Sequence, residues 1–254
     1  MKWTLWIACL ITTFATTAVA ADKPQAKRLS RILLVTGRDV PAHPWRETTP
    51  ALREALEKTG KFEVLVSEEP AVLESSALAS YDVILLNYYN WERPEITDQA
   101  KENLLKFVKS GKGLVSFHFS VRAWGKWAEY RKLIGRIWVD SSGHGPRGTF
   151  KVKVADADHY ITQGLTDFEA DDELYAKLIG DTPINVLVEA YSEWSKKTEP
   201  IAWTLDYGQG RVFNIVLGHD AKACRLPQFV QLLQRGTVWA GRLDGQTENP
   251  SQAK

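Results

Sequence analysis

Three short apolar runs, Ile32 to Thr36, Phe62 to Val66 and Val83 to Leu86, alternate with segments of helical periodicity, and a fourth run follows at Gly113 to Phe119. Runs this short, rich in β-branched or aromatic side chains, read as strands buried on both faces, as in a parallel sheet. Between them, Thr48 to Thr59 places Leu52, Ala55 and Leu56 on one stripe and stops at Gly60. Thr97 to Ser110 places Ala100, Leu104, Phe107 and Val108 on another, with Thr97 as N-cap and Gly111 closing the C-terminus. Parallel strands joined through helices require right-handed crossovers, so the expected fold is α/β: a doubly wound, mostly parallel, flavodoxin-like sheet.

Later segments change character. Phe150 to Val154 alternates apolar and charged side chains, as a half-exposed strand does. Pro200 to Asp206 and Arg211 to Leu217 flank Tyr207-Gly208-Gln209-Gly210 and predict a C-terminal β-hairpin, and Leu226 to Ala240 predicts a closing helix with Phe229, Leu232, Leu233 and Trp239 inward.

The first twenty residues read as an export signal, since Lys2 gives a positive start, Leu5 to Ala15 is largely apolar and Ala18-Val19-Ala20 offers a small-x-small cleavage site. Residues 21–30 read as a flexible lead-in, 31–241 as one α/β domain and 242–254 as a disordered tail. The location implied is the periplasm or the extracellular medium. The apolar run is shorter than the ~20 residues that span a bilayer, so no membrane association is expected after cleavage.

The whole chain carries 32 Lys and Arg against 31 Asp and Glu, and losing Lys2 with the leader balances them. Nothing in that balance steers the protein toward nucleic acid. Of its 2 cysteines, Cys9 lies in the leader, so Cys224 has no intrachain disulfide partner.

All five histidines, His43, His118, His144, His159 and His219, fall at turns or predicted strand ends. Ligands of open parallel sheets bind at the carboxyl ends of the strands, where the loops converge. The loop after the first strand carries His43 and Trp45, the one after the third carries Asn87 and Trp91, and the fourth strand ends at His118. Trp45 and Trp91 offer flat apolar faces to sugar rings, Asn87 offers hydrogen bonds to hydroxyls, and His144, in Ser142-Gly143-His144-Gly145, sits on a loop suited to covering a ligand, so these four are the expected substrate contacts. Trp127 is read as helix packing. Asp158-His159 is read as a turn lock with Asp158 accepting backbone hydrogen bonds.

A series of motifs occurs in order: Gly37 with His43-Pro44, the strand ending at His118, Asp158-His159 with Gly164-Leu165, Asp172-Glu173-Leu174-Tyr175, Pro200-Ile201-Ala202-Trp203, Gly210-Arg211-Val212-Phe213 and Leu217-Gly218-His219. Together, over Arg31 to Gly241, they resemble the ThuA-like (trehalose-utilisation) family, whose fold is similar to class I glutamine amidotransferases. The sequence departs from the family at Tyr160, where proline is more usual.

An amidotransferase needs a cysteine at a strained strand-to-helix elbow, and here Phe117-His118-Phe119 supplies no thiol. Ser116 and Ser120 flank His118, but continued strand geometry through Phe119 is expected to deny either one an elbow. What remains is His43, His118 and His219 with Glu173, a set suited to zinc or a similar divalent metal. The alternative is metal-free acid–base chemistry by His118 or His219 with Glu173. In either case His118, Glu173 and His219 are the expected catalytic groups. No Gly-x-Gly-x-x-Gly follows a strand, so no nucleotide cofactor is expected.

The resemblance implies an exported carbohydrate-metabolism enzyme acting on a disaccharide or glycoside, including a 3-keto sugar, by proton abstraction that leads to cleavage or interconversion. A non-catalytic sugar-binding module, or a partner of a sugar oxidoreductase, is the alternative, and self-association into a homo-oligomer is left open.

Overall fold

Strand β1 (Ser30–Val35) leads through helix α1 (Trp45–Glu57) to β2 (Phe62–Ser67), and β3 (Val83–Leu86) leads through α2 (Asp98–Lys109) to β4 (Gly113–Phe117) in the computed structural model, which describes residues 29–90 and 92–243. Then come α3 (Ala128–Ile134), β5 (Gly143–His144), β6 (Gly148–Val154), β7 (Phe168–Asp172), β8 (Tyr175–Ala176), β9 (Asn185–Ser192), β10 (Lys197–Tyr207), β11 (Gly210–Ile215) and α4 (Pro227–Ala240). The leader at 1–20, Trp91 and most of the lead-in and tail lie outside the described residues. Among the described residues no helix is long and apolar enough to cross a membrane.

Nine strands form one sheet in the order β2-β1-β3-β4-β11-β10-β9-β6-β7. From β2 to β11 the neighbours pair in parallel, and from β11 outward they pair antiparallel. The order reverses at β1, where the crossover through α1 runs one way and the one through α2 the other, which opens a crevice above the carboxyl ends of β1 and β3. The hairpin is present as expected, with Tyr207 opposite Gly210 and Gly208 at φ +62° in the turn.

The expected stripes are the buried ones. Leu52, Ala55 and Leu56 face inward from α1, and Ala100, Leu104, Phe107 and Val108 from α2. Each large apolar side chain so buried contributes about 1.5–3 kcal/mol. Thr97 caps α2 by accepting the Ala100 N–H at 3.2 Å. Trp127 is partly buried and stacked on Tyr130, while Trp124 is fully buried.

Two local expectations are corrected. The fourth strand ends at Phe117, not Phe119, because the chain turns at His118 into a short 3-10 helix, His118–Arg122. In the Asp158-His159 turn, the accepting carboxylate is Asp156, whose Oδ1 takes the N–H groups of Asp158 (3.3 Å) and His159 (3.2 Å). Asp156 precedes both donors and so matches the Asx-turn direction, in which a side chain bonds backbone two residues on.

Candidate metal centre at the carboxyl edge

After β1 the chain turns back on itself, with the His43 N–H bonded to Val40 O at 2.9 Å, and this sets the His43 ring over the crevice. His118 sits at the end of β4 with φ +44°, in the left-handed region that non-glycine residues rarely enter. The strained elbow expected to be missing is therefore present, and it carries an imidazole rather than a hydroxyl or thiol. Neither flanking serine stands there, for Ser116 is buried within β4 and Ser120 Oγ donates to Leu86 O at 2.8 Å.

Glu173 arrives from the far edge of the sheet. Asp172 draws the end of β7 over the crevice by accepting the Gly218 N–H at 2.6 Å and the His219 N–H at 3.1 Å, beyond the end of β11. Gly218 takes φ +110°, and a Cβ there would overlap the Phe117 ring, so only glycine lets the chain deliver His219 at this point.

The four groups meet. Glu173 Oε2 lies 3.1 Å from His219 Nδ1, 3.7 Å from His118 Nε2 and 3.8 Å from His43 Nε2. One ligand atom from each of the four residues falls within 4.8 Å of all the others. A tetrahedral ion with bonds of about 2.0–2.1 Å holds its ligand atoms about 3.3–3.4 Å apart. The three distances from Glu173 Oε2, 3.1, 3.7 and 3.8 Å, bracket that spacing, and the whole set, within 4.8 Å, would draw in slightly around an ion.

Proton accounting supports the same fit. His118 Nδ1 lies 2.7 Å from Val216 O, and a carbonyl only accepts, so Nδ1 carries the proton and Nε2 turns a lone pair toward Glu173. The Tyr175 hydroxyl lies 2.9 Å from His118 Nε2 and 3.0 Å from His43 Nε2, yet has one proton for the two nitrogens. His43 Nδ1, His219 Nδ1 and Glu173 Oε2 are buried without a well-aligned hydrogen bond. Buried polar atoms left without partners are costly, and a cation held among these groups would offset that cost.

Electrostatics set the protonation states. Burial, reinforced by the neighbouring imidazoles, pushes His43 down to about 3. Burial also pushes His118 down to about 4, against the Val216 carbonyl and Glu173. Burial of Glu173 favours its neutral form, but the His219 ring 3.1 Å away and the other surrounding imidazoles outweigh it and hold the carboxyl down at about 2. His219 is raised, chiefly by the Glu173 carboxylate 3.1 Å from its Nδ1. At neutral pH the set is two neutral imidazoles, a carboxylate and the more basic His219, which is close to what a divalent ion binds.

A cavity of about 190 Å³ opens beside the cluster, and its walls include His43, Phe119, Arg122, Trp138, His144 and Glu173. His144 is carried there by β5, which pairs with β8, and its Nε2 lies 3.6 Å from Glu173 Oε1. Of the three expected catalytic groups only Glu173 lines the cavity. His118 is fully buried behind Tyr175, and His219 stands to the side. Trp45 and Asn87 are not in the lining. Trp45 is 5% exposed and spends its indole N–H on Asp39 at 2.8 Å, while the Asn87 amide is buried on Thr48 and Thr49 at 3.1 and 2.9 Å. Trp45 opens helix α1 and Asn87 directly follows β3, and both side chains are buried. Sequence reasoning missed Tyr175, Phe119 and Trp138; the Asp172-Glu173-Leu174-Tyr175 motif contained the signal for Tyr175, as residues two apart in an extended segment share a face. Cys224 is buried, with its thiol pushed up by burial and the Asp172 and Asp220 charges, and takes no part in the cluster.

The fold and site define a flavodoxin-like α/β protein that gathers three imidazoles and one carboxylate at its switch point. The chain belongs to the ThuA family, described as trehalose utilisation, whose sequence profile matches residues 31–240. A ThuA-like protein from Parabacteroides merdae is 24% identical with a TM-score of 0.76, over 87% of this chain and 93% of that one. A second from Bacteroides uniformis is 18% identical with a TM-score of 0.69, over 87% and 94%. The fold also recurs in a β-galactosidase from Bacillus circulans at 14% identity and TM-score 0.58, where the match covers 83% of this chain and 31% of the galactosidase. No curated protein matches the chain.

Proposed function

We propose that this chain is an exported enzyme of carbohydrate metabolism, working in the periplasm or the medium on a disaccharide or other glycoside, including one oxidised to a 3-keto sugar. Membership of the trehalose-utilisation family supports the substrate class. The observation that carries the reading is the meeting of His43, His118, His219 and Glu173, with unpaired buried lone pairs, beside a cavity. These four residues would hold a divalent metal such as zinc, which when bound supplies Lewis-acid stabilisation of negative charge on a substrate oxygen.

The chain's own groups handle the protons. Glu173 Oε1 is turned toward His144, and both reach the cavity, so this pair is placed to take the proton from a carbon next to a sugar carbonyl. The electron pair left behind expels the glycosidic oxygen from the neighbouring carbon, and that oxygen departs as a hydroxyl after accepting a proton from the Tyr175 phenol or from His144. Burial and the nearby Glu173 and Asp172 charges keep the phenol protonated at neutral pH. Phe119 and Trp138 form apolar walls that limit water around the reacting carbon.

The test is metal analysis of untagged protein, followed by turnover of a keto-disaccharide with and without chelator. Near-stoichiometric metal and chelator-sensitive product release are expected. Saturable sugar binding without turnover would replace the enzyme by a sugar-binding module, and turnover only alongside a sugar oxidoreductase would make the chain its partner.

A further inference from the structure

The cavity beside the cluster, about 190 Å³, is smaller than the ~300–1,000 Å³ typical of sites that enclose a whole ligand. A second cavity adjoins it. Tyr89, Arg122 and Trp138 are walls of the first and also of this second one, of about 560 Å³, so the two share a three-residue divide. The Arg122 guanidinium lies over the Tyr89 ring at 5.4 Å and the Trp138 ring at 5.7 Å. It has no carboxylate partner within ion-pair distance among the described residues. A guanidinium set near aromatic faces, without an ion pair, keeps its N–H groups for a ligand.

The second cavity adds Asn90, Glu95, Lys126 and Asp140 to the aromatic divide. Donors and acceptors set around flat apolar faces are what a polyhydroxylated ring requires. Neither cavity alone has both features, since the smaller holds the reactive groups and the larger holds the space and the polar lining.

We propose that the second cavity is the subsite for the non-reacting ring of the substrate, and that Arg122 hydrogen-bonds the oxygens between the two rings. This rests on the glycoside reading and narrows it: the substrate is a glycoside of at least two rings, with the reacting ring beside Glu173 and the departing one beyond Arg122. Specificity for the departing ring then resides in residues remote from the imidazoles.

Gly125 lines the second cavity, and a Cβ placed on it meets only Arg122 O, at 3.8 Å, so a side chain is accommodated there without moving backbone. The experiment compares kcat/KM for 3-keto-trehalose and methyl 3-keto-α-glucoside in wild type, Gly125→Trp and Arg122→Ala, with circular dichroism as the check on folding. Wild type is expected to favour the two-ring probe by about tenfold or more, and both variants to lose that preference while turnover of the methyl glycoside by Gly125→Trp stays within about twofold. Equal handling of the two probes by wild type, or an unchanged preference in folded Gly125→Trp, overturns the assignment. Turnover of the methyl glycoside with no two-ring preference sinks the second subsite alone, whereas no binding or turnover of either probe sinks the glycoside reading as well.

Discussion

The carboxylate of Asp172 carries the backbone of His219. Its Oδ1 accepts the His219 N–H at 3.1 Å and the Glu173 N–H at 2.8 Å, while Oδ2 accepts the Gly218 N–H at 2.6 Å. One side chain therefore registers the end of β7 against the end of β11, which lie far apart in the sheet order, and so fixes two of the four converging groups relative to each other. Asp172→Asn puts an amide donor where only acceptors are wanted. It should cost about 1–3 kcal/mol of stability through unpaired buried N–H groups. Metal affinity should fall about 10–100-fold, as is typical when a group orienting the ligands is lost. Denaturant unfolding and competitive metal titration measure the two effects, and unchanged affinity in a folded variant would show that the clamp does not position the site.

Gly218 tests the same loop from the other side. With φ at +110° and the Phe117 ring where a Cβ would fall, Gly218→Ala should destabilise by at least about 1–3 kcal/mol and displace His219 from Glu173. The readout is the melting temperature with and without added zinc. Wild type should be raised by the metal through its affinity for the folded state, and the variant much less so.

The parallel half of the sheet was legible in the sequence because its strands are buried on both faces and so read as uninterrupted apolar runs, as at Val83 to Leu86. The antiparallel extension was less so. Strand β7, Phe168–Asp172, is only half-buried and ends in acids that look like a solvated loop until Asp172 is seen bonded to Gly218 and His219. At the site, His43, His118, His219 and Glu173 could be read as a group from the convergence of loops at the strand ends taken together with the family resemblance. Local sequence could not tell which faces of the rim loops turn inward. Trp45 and Asn87 are the kinds of residue that line sugar sites, but their side chains serve Asp39, Thr48 and Thr49. The elbow at His118 was invisible for a related reason, since no glycine marks the position where the chain takes φ +44°.

Tyr175 separates packing from chemistry. Its ring packs edge-on against Trp138 at 4.8 Å and lies 4.6 Å from the His118 ring, and its hydroxyl reaches both His43 and His118. Tyr175→Phe keeps the ring and removes only the oxygen. Stability of the metal-free protein should fall by about 1–3 kcal/mol, since a buried imidazole nitrogen loses its hydrogen-bond partner. Metal content should be retained while kcat falls by about 10- to 100-fold, the scale of losing a positioned proton donor. A variant that loses metal instead would make the hydroxyl part of the ion's binding set and not a proton donor.

The turn at Asp156, away from the cluster, makes its own contribution to acid sensitivity. The Asn185 side-chain amide at 2.8 Å, with the Asp158 and His159 N–H groups, holds the Asp156 carboxyl below its ordinary value of 3.8. A carboxyl whose pKa is lower folded than unfolded stabilises the protein fully above the unfolded value, and that stability is lost as pH falls through the unfolded value toward the folded one. Asp156→Ala should therefore be less stable than wild type at pH 7, by about 0.5–2 kcal/mol for the lost turn bonds. The gap between the two proteins should narrow as pH drops below about 4, because there the wild-type carboxyl is becoming protonated and surrenders the same bonds. Urea unfolding of both proteins at pH 7, 5, 4 and 3 reads this directly. A gap that stays constant across the series would mean that the turn is held by the Thr162 hydroxyl bonded to the Asp156 carbonyl, and not by the carboxylate.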